Sequence, residues 1–327
     1  MIRCLGWLAI GLGVLVACGG EPEAPLVDTA DTAAAIPEVD EDRSPQPVVI
    51  RTLRPPRRPS VPPQPELLAA AREAMGGDGL RLDCGPYTLI TDSTDSGLLD
   101  ACQRLATGLD QAYGERLGVE PMGEPAEAIV LFDGLDAFRT FVRGQGWGAV
   151  GYAGVTRASQ GVLVLYAGSK DLDDVLETLV HELCHLLHHR ALGGGLPRWL
   201  SEGLADSLGD TANPGGLEPL AGVAGAEAEA GRLRAALARG EARAVAELVT
   251  LDPDAFDSGT VSYDYELSTF LVRFLLLDPE LGPRFRAWLQ SVASGGSVDP
   301  GSLEGALEVQ WTEVDRRFRG WFESAAR

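Results

Sequence analysis

Basic side chains are scarce in this sequence: 27 lysines and arginines stand against 48 aspartates and glutamates, a formal net charge of −21. Such a chain has little with which to neutralise phosphates, which excludes nucleic acid as a partner. Long apolar runs are missing beyond the first 20 residues, so no later segment reads as a transmembrane helix. Cysteine is limited to five residues and histidine to four. All four histidines fall in one nine-residue stretch, His181 to His189. What is present is enough for a core: 45% of residues are hydrophobic, and 327 residues accommodate one large domain or two modest ones. The 40 glycines and 21 prolines predict long irregular stretches between the regular elements.

The N-terminus has the shape of an export signal. Arg3 precedes an apolar run from Leu5 to Val16, shorter than a bilayer span and built like a signal-peptide core. The run ends Leu15-Val16-Ala17-Cys18, which resembles a bacterial lipobox. That resemblance implies removal of residues 1–17, acylation of Cys18 and a lipid-anchored protein of the cell envelope, at the outer membrane or periplasmic face. An ordinary secretory signal is the competing reading. Residues 18–65 are rich in proline and acid, carry Arg51, Arg54, Arg57 and Arg58, and show no amphipathic period. They predict a disordered tether to a folded domain spanning 66–327. With Cys4 in the signal and Cys18 acylated, Cys84, Cys102 and Cys184 remain. In an oxidising compartment Cys84 and Cys102 could pair. Cys184 reads as a small buried residue on the packed side of its helix.

The histidine stretch lies in a strongly periodic segment. Leu172, Val175, Leu176, Leu179, Val180, Leu183, Leu186 and Leu187 recur at three- and four-residue intervals, which predicts a helix with a broad apolar face. His181-Glu182-Leu183-Cys184-His185 reads H-E-x-x-H. On a helix, His181 and His185 project from one side, one turn apart, and can hold a single metal ion. Glu182 is placed to act on a water molecule as general base. His188 and His189, a turn beyond, read as surface residues or as neighbours of the ligands. A catalytic zinc ordinarily takes three protein ligands, and the candidate third lies 17 residues after His185, beyond Gly193-Gly194-Gly195 and Pro197, in Arg198-Trp199-Leu200-Ser201-Glu202-Gly203-Leu204-Ala205-Asp206. The glycine-rich turn allows this second helix to fold back antiparallel, with Glu202 facing the two histidines.

H-E-x-x-H followed by a W-L-S-E-G-L-A helix resembles the gluzincin branch of the zincin metallopeptidases. The likeness is sharp from Glu177 to Leu208 and extends in layout over about residues 85–325. It implies Zn²⁺ held by His181, His185 and Glu202, with Asp206 orienting a ligand histidine. It also implies hydrolysis of a peptide or protein substrate with Glu182 as base, and a tyrosine from the C-terminal lobe, Tyr265 or Tyr263, stabilising the oxyanion. A hydrolase of a non-peptide amide, and a binding module whose zinc site does not turn over, are the alternatives. The implied fold is α+β and zincin-like. An N-terminal lobe with a mixed sheet and the active-site helix (about 80–192) precedes a mainly helical C-terminal lobe (about 196–327).

Along the chain, periodicity predicts helices over 66–74, 97–117 and 136–144 and strands over 87–91, 128–132 and 161–166. The continuous apolar run at 128–132 predicts a strand buried on both faces. In a zincin, the strand before the metal helix forms the sheet edge; the sequence alone equally permits an interior position. Helical patterns continue over 232–238, 242–249, 263–277, 283–292 and, as one element, 303–326.

Overall fold

A computed structural model describes residues 60–77, 79–148, 153–168, 171–257 and 263–325. The expected leader, lipobox Cys18 and most of the tether lie outside these residues. The fold is α+β. It opens with α1 (Pro65–Ala74), then the hairpin β1 (Leu80–Cys84) and β2 (Tyr87–Thr91), α2 (Ser96–Leu117), β3 (Ala128–Phe132), α3 (Leu135–Gly144), β4 (Gly154–Arg157) and β5 (Val162–Tyr166). Two long helices follow, α4 (Leu172–Ala191) and α5 (Arg198–Gly209). A two-stranded ribbon, β6 (Ala212–Asn213) with β7 (Gly216–Leu217), leads into α6 (Glu227–Arg239), α7 (Val245–Val249), α8 (Pro253–Asp257), α9 (Asp264–Leu277), α10 (Leu281–Ala293), α11 (Pro300–Leu307) and α12 (Trp311–Ala325).

The five-stranded sheet has the order β1-β2-β3-β5-β4 and is mixed: β2, β3 and β5 run parallel, while β1 and β4 pair antiparallel at its two edges. The parallel strands are joined through helices, as their geometry requires. Strand β3 is central and wholly buried, as its unbroken apolar run predicts. Its period of two divides the side chains between layers: Ile129 and Leu131 join the core under α2 and α4, and Val130 and Phe132 join the smaller core under α1 and α3. The larger core continues without a break into the helical half, through Leu204 and Leu208 of α5 to Leu267, Phe270 and Phe274 of α9.

Several elements differ from expectation. Of the two positions left open for the strand before α4, β5 takes the interior one, and the edge on that side is β4, a strand not expected from the sequence. The segment 303–326 is two helices rather than one, because Glu308 takes a left-handed conformation (φ 56°) that ends α11. Cys84, Cys102 and Cys184 are all free, buried thiols, so the pairing left open for Cys84 and Cys102 is not made. Cys184 occupies the packed side of α4 as predicted, and burial pushes the Cys84 and Cys102 thiols up to about 12. Among the described residues no helix is long and apolar enough to cross a membrane.

Candidate metal centre

Helices α4 and α5 place the site. Gly193 and Gly195 both adopt positive φ, 77° and 78°, and reverse the chain between them. The two helices then run antiparallel, with His185 opposite Ser201 and Glu202, His181 opposite Asp206, and Glu177 opposite Gly209. Gly209 makes the close approach possible, since a Cβ there would sit 3.2 Å from the Glu177 carbonyl oxygen and 3.6 Å from His181 Cβ.

This packing brings three atoms able to ligate a metal to one point. His181 Nε2 and His185 Nε2 are 3.1 Å apart, and Glu202 Oε2 lies 3.6 and 3.7 Å from them. A circle through the three atoms has a radius of about 2.0 Å, the length of a zinc–nitrogen or zinc–oxygen bond. The remaining groups fix the orientation of each ligand. The Asp206 carboxylate sits 2.7 Å from His181 Nδ1 and accepts a hydrogen bond from it, so that the neutral ring presents an Nε2 lone pair to the centre. Asp206 is itself held by the Thr269 hydroxyl of α9 at 2.9 Å. Ser201 Oγ lies 3.3 Å from His185 Nδ1 and gives that ring the same orientation. Arg198 Nη1 donates to Glu202 Oε1 at 2.8 Å. Glu202 Oε2, in a side chain with no exposed surface, has no hydrogen-bond partner.

That orphaned oxygen is the test of fit. A buried carboxylate oxygen without a donor is costly, and with both rings neutral and protonated on Nδ1 their Nε2 lone pairs would face each other at 3.1 Å and repel. A divalent cation answers all three atoms at once. The donor set, two neutral imidazoles and a carboxylate, suits zinc and other first-row divalent ions. Without an ion, the site must hold protons instead. Burial disfavours a charge on His181, yet Asp206 against its ring, with Glu182 and Glu202 nearby, pushes its pKa up to about 10. Burial and the neighbouring His181 hold His185 well below the usual range. Burial raises Glu202 to about 7 against the pull of Arg198.

Glu182 is buried beside this triangle and gripped by β4. Thr156 Oγ1 lies 2.7 Å from Glu182 Oε2 and 2.9 Å from the Glu182 backbone carbonyl. Gly154, two residues earlier and so on the same face of the strand, brings its backbone against the other side of the carboxylate. A Cβ at Gly154 would lie 2.7 Å from Glu182 Cγ and 2.9 Å from Oε1. Desolvation raises the Glu182 pKa, with His181 and the Thr156 hydrogen bond opposing.

The sequence-predicted residues are thus gathered unequally. His181, Glu182, His185, Glu202 and Asp206 form one cluster. Of the two tyrosines, Tyr263 accepts from Arg239 at 3.2 Å in the helical half. Tyr265 lies in the first turn of α9, one turn before Thr269, and packs its ring on Phe256, 4.8 Å between centroids. His188 is buried and takes the second of its two expected places, beside a candidate ligand: it packs on Tyr113 and His185, 5.8 and 5.7 Å between centroids, and neither ring nitrogen has a hydrogen-bond partner. Thr156, Gly154, Arg198, Ser201 and Thr269 escape the sequence reading. Arg198 and Ser201 had local signals, one four residues before Glu202 and therefore on its face, the other adjacent to it.

No protein-family model matches the sequence, and a search of curated proteins returns no relative.

Proposed function

We propose that this chain is a zinc-dependent metallopeptidase of gluzincin type, exported and anchored in the cell envelope through lipid on Cys18. The observation that carries the reading is Glu202 Oε2, buried, partnerless and equidistant from two imidazole nitrogens, with Glu182 fixed alongside. His181, His185 and Glu202 would hold the ion, which when bound supplies Lewis acidity toward water and a substrate carbonyl. The protein's own groups divide the rest of the work. Glu182, pinned through one oxygen by Thr156, accepts the proton of an attacking water and returns it to the leaving amine. Its raised pKa brings that base nearer to neutral pH, where proton transfer in both directions is efficient. Asp206 and Ser201 keep both imidazoles in the ligand tautomer. Tyr265 is the candidate donor to the oxyanion.

A peptide is the substrate class favoured by the gluzincin likeness and by β4. Tyr166 N donates to Ala153 O across the β4–β5 pair, so the alternate residues Gly154 and Thr156 direct their backbone groups away from β5, toward the sheet edge beside Glu182. An extended peptide is the complement of such an edge.

The test is Glu182→Gln, which is nearly isosteric and leaves all three ligands in place. Zinc content should match wild type, while hydrolysis of a peptide library should fall by about 10²–10⁴-fold. Equal zinc with unchanged turnover would remove Glu182 as base. A wild-type protein that binds zinc but cleaves no peptide would leave the non-catalytic binding module, or a non-peptide amide, as the better reading.

A further inference from the structure

Arg198 is an unusual neighbour for a metal ligand. It is the first residue of α5, where the helix dipole disfavours a cation, and it is 7% exposed, so desolvation disfavours it as well. What it meets there is Glu202, one turn along the same helix, through a charge-assisted hydrogen bond of 2.8 Å to Oε1. The two oxygens of Glu202 are therefore unequal. Oε1 is taken by the guanidinium; Oε2 faces the histidine nitrogens and has no hydrogen-bond partner.

Resting on the metal-centre reading, the geometry points to Arg198 as a positioning residue that restricts Glu202 to one-oxygen ligation. A free glutamate can grip a divalent ion through both oxygens, and the second oxygen would occupy a coordination position that substrate needs. With Oε1 engaged by Arg198, the protein contributes three ligand atoms and no more. The guanidinium also offsets the Glu202 charge before an ion arrives, which limits the repulsion between Glu202 and the nearby Glu182 carboxylate.

Three measurements test this without relying on turnover. X-ray absorption of zinc-loaded wild-type protein should give a four-atom first shell, two imidazole nitrogens, one carboxylate oxygen and one solvent oxygen, with no carboxylate carbon at the short distance that two-oxygen ligation brings. Cobalt(II) replacing zinc should give the intense visible bands of a four-coordinate ion. In Arg198→Met those bands should weaken by about twofold or more as Glu202 adds its second oxygen, and zinc affinity should fall by about 10–100-fold. Arg198→Lys, which restores a donor of the same charge, should recover the wild-type spectrum in part. Far-ultraviolet circular dichroism checks that each variant is folded; if Arg198→Met is not, the wild-type absorption measurement decides alone. Two carboxylate oxygens on the wild-type ion, or identical cobalt spectra in wild type and folded Arg198→Met, would overturn the role of Arg198 and leave the metal centre standing. Failure of wild type to bind either ion would overturn the centre and this inference together.

Discussion

Gly154→Ala adds a single methyl group and isolates the fit between the sheet edge and Glu182. The backbone at Gly154 lies outside the left-handed region, so alanine brings no conformational strain of its own. The new Cβ would stand 2.7 Å from Glu182 Cγ. Ordinary carbon–carbon contact begins near 3.5 Å, so the glutamate must retreat by about 0.8 Å. It has little room to do so, because Thr156 holds its far oxygen at 2.7 Å and its surroundings are buried. A displacement of that size at a reacting group costs about 10²-fold in rate, or about 2.7 kcal/mol of activation free energy. The ligands lie outside the contact, so zinc stoichiometry should stay at one per chain. The assay is paired: peptide-library turnover and elemental zinc content of the same preparation, with thermal unfolding as a check on the fold. Wild-type turnover in Gly154→Ala would refute the packing argument. Loss of zinc alongside activity would refute it too, since the damage would then lie at the ligands.

Zinc binding should be coupled to proton release. With His181 raised to about 10 and Glu202 to about 7, both are protonated in the ion-free protein at pH 6, and His185 is already neutral. Calorimetry in buffers of differing ionisation heat should find about two protons released at pH 6 and about one at pH 8.5, with affinity rising as pH rises. Asp206→Asn removes the group that sustains the His181 charge, so the proton released at pH 8.5 should disappear and zinc affinity fall by about 10–100-fold; unchanged proton release would dismiss Asp206 as the partner of His181. Cys18→Ser should abolish lipid attachment, read as a loss of acyl mass and of membrane association; a variant that keeps both would dismiss the lipobox.

Much of the candidate centre is legible in the sequence because helical spacing alone determines it. His181, Glu182 and His185 share one helix, and the glycine-rich turn that brings Glu202 opposite them is short enough to read directly. Thr156 and Thr269 are different. Their contacts with Glu182 and Asp206 span 26 and 63 residues and depend on how separate elements pack. Strand β4 was hidden for a related reason: four residues beginning with glycine carry too little periodicity, and only pairing with β5 makes them a strand. The burial of His188 follows from α2 laying Tyr113 across it, which local pattern does not report. At α11–α12, the hydrophobic period continues through a break made by one backbone angle at Glu308.

Helix α5 belongs to both halves of the molecule. One face presents Glu202 to α4; on the other, Gly203 lets the backbone of α9 come so near that a Cβ would meet the Ser268 carbonyl oxygen at 2.6 Å. Glu202, the candidate third ligand, therefore lies on a helix packed against one that begins more than 60 residues later in the chain. During synthesis, which releases the N-terminal part first, the nascent protein carries two histidines able to touch a metal but no finished cage around it. A chain cut before Asp264 would hold the whole H-E-x-x-H and Glu202 and still lack the wall that sets them. The candidate centre is walled only once α9 has been made, with α10, α11 and α12 still to follow.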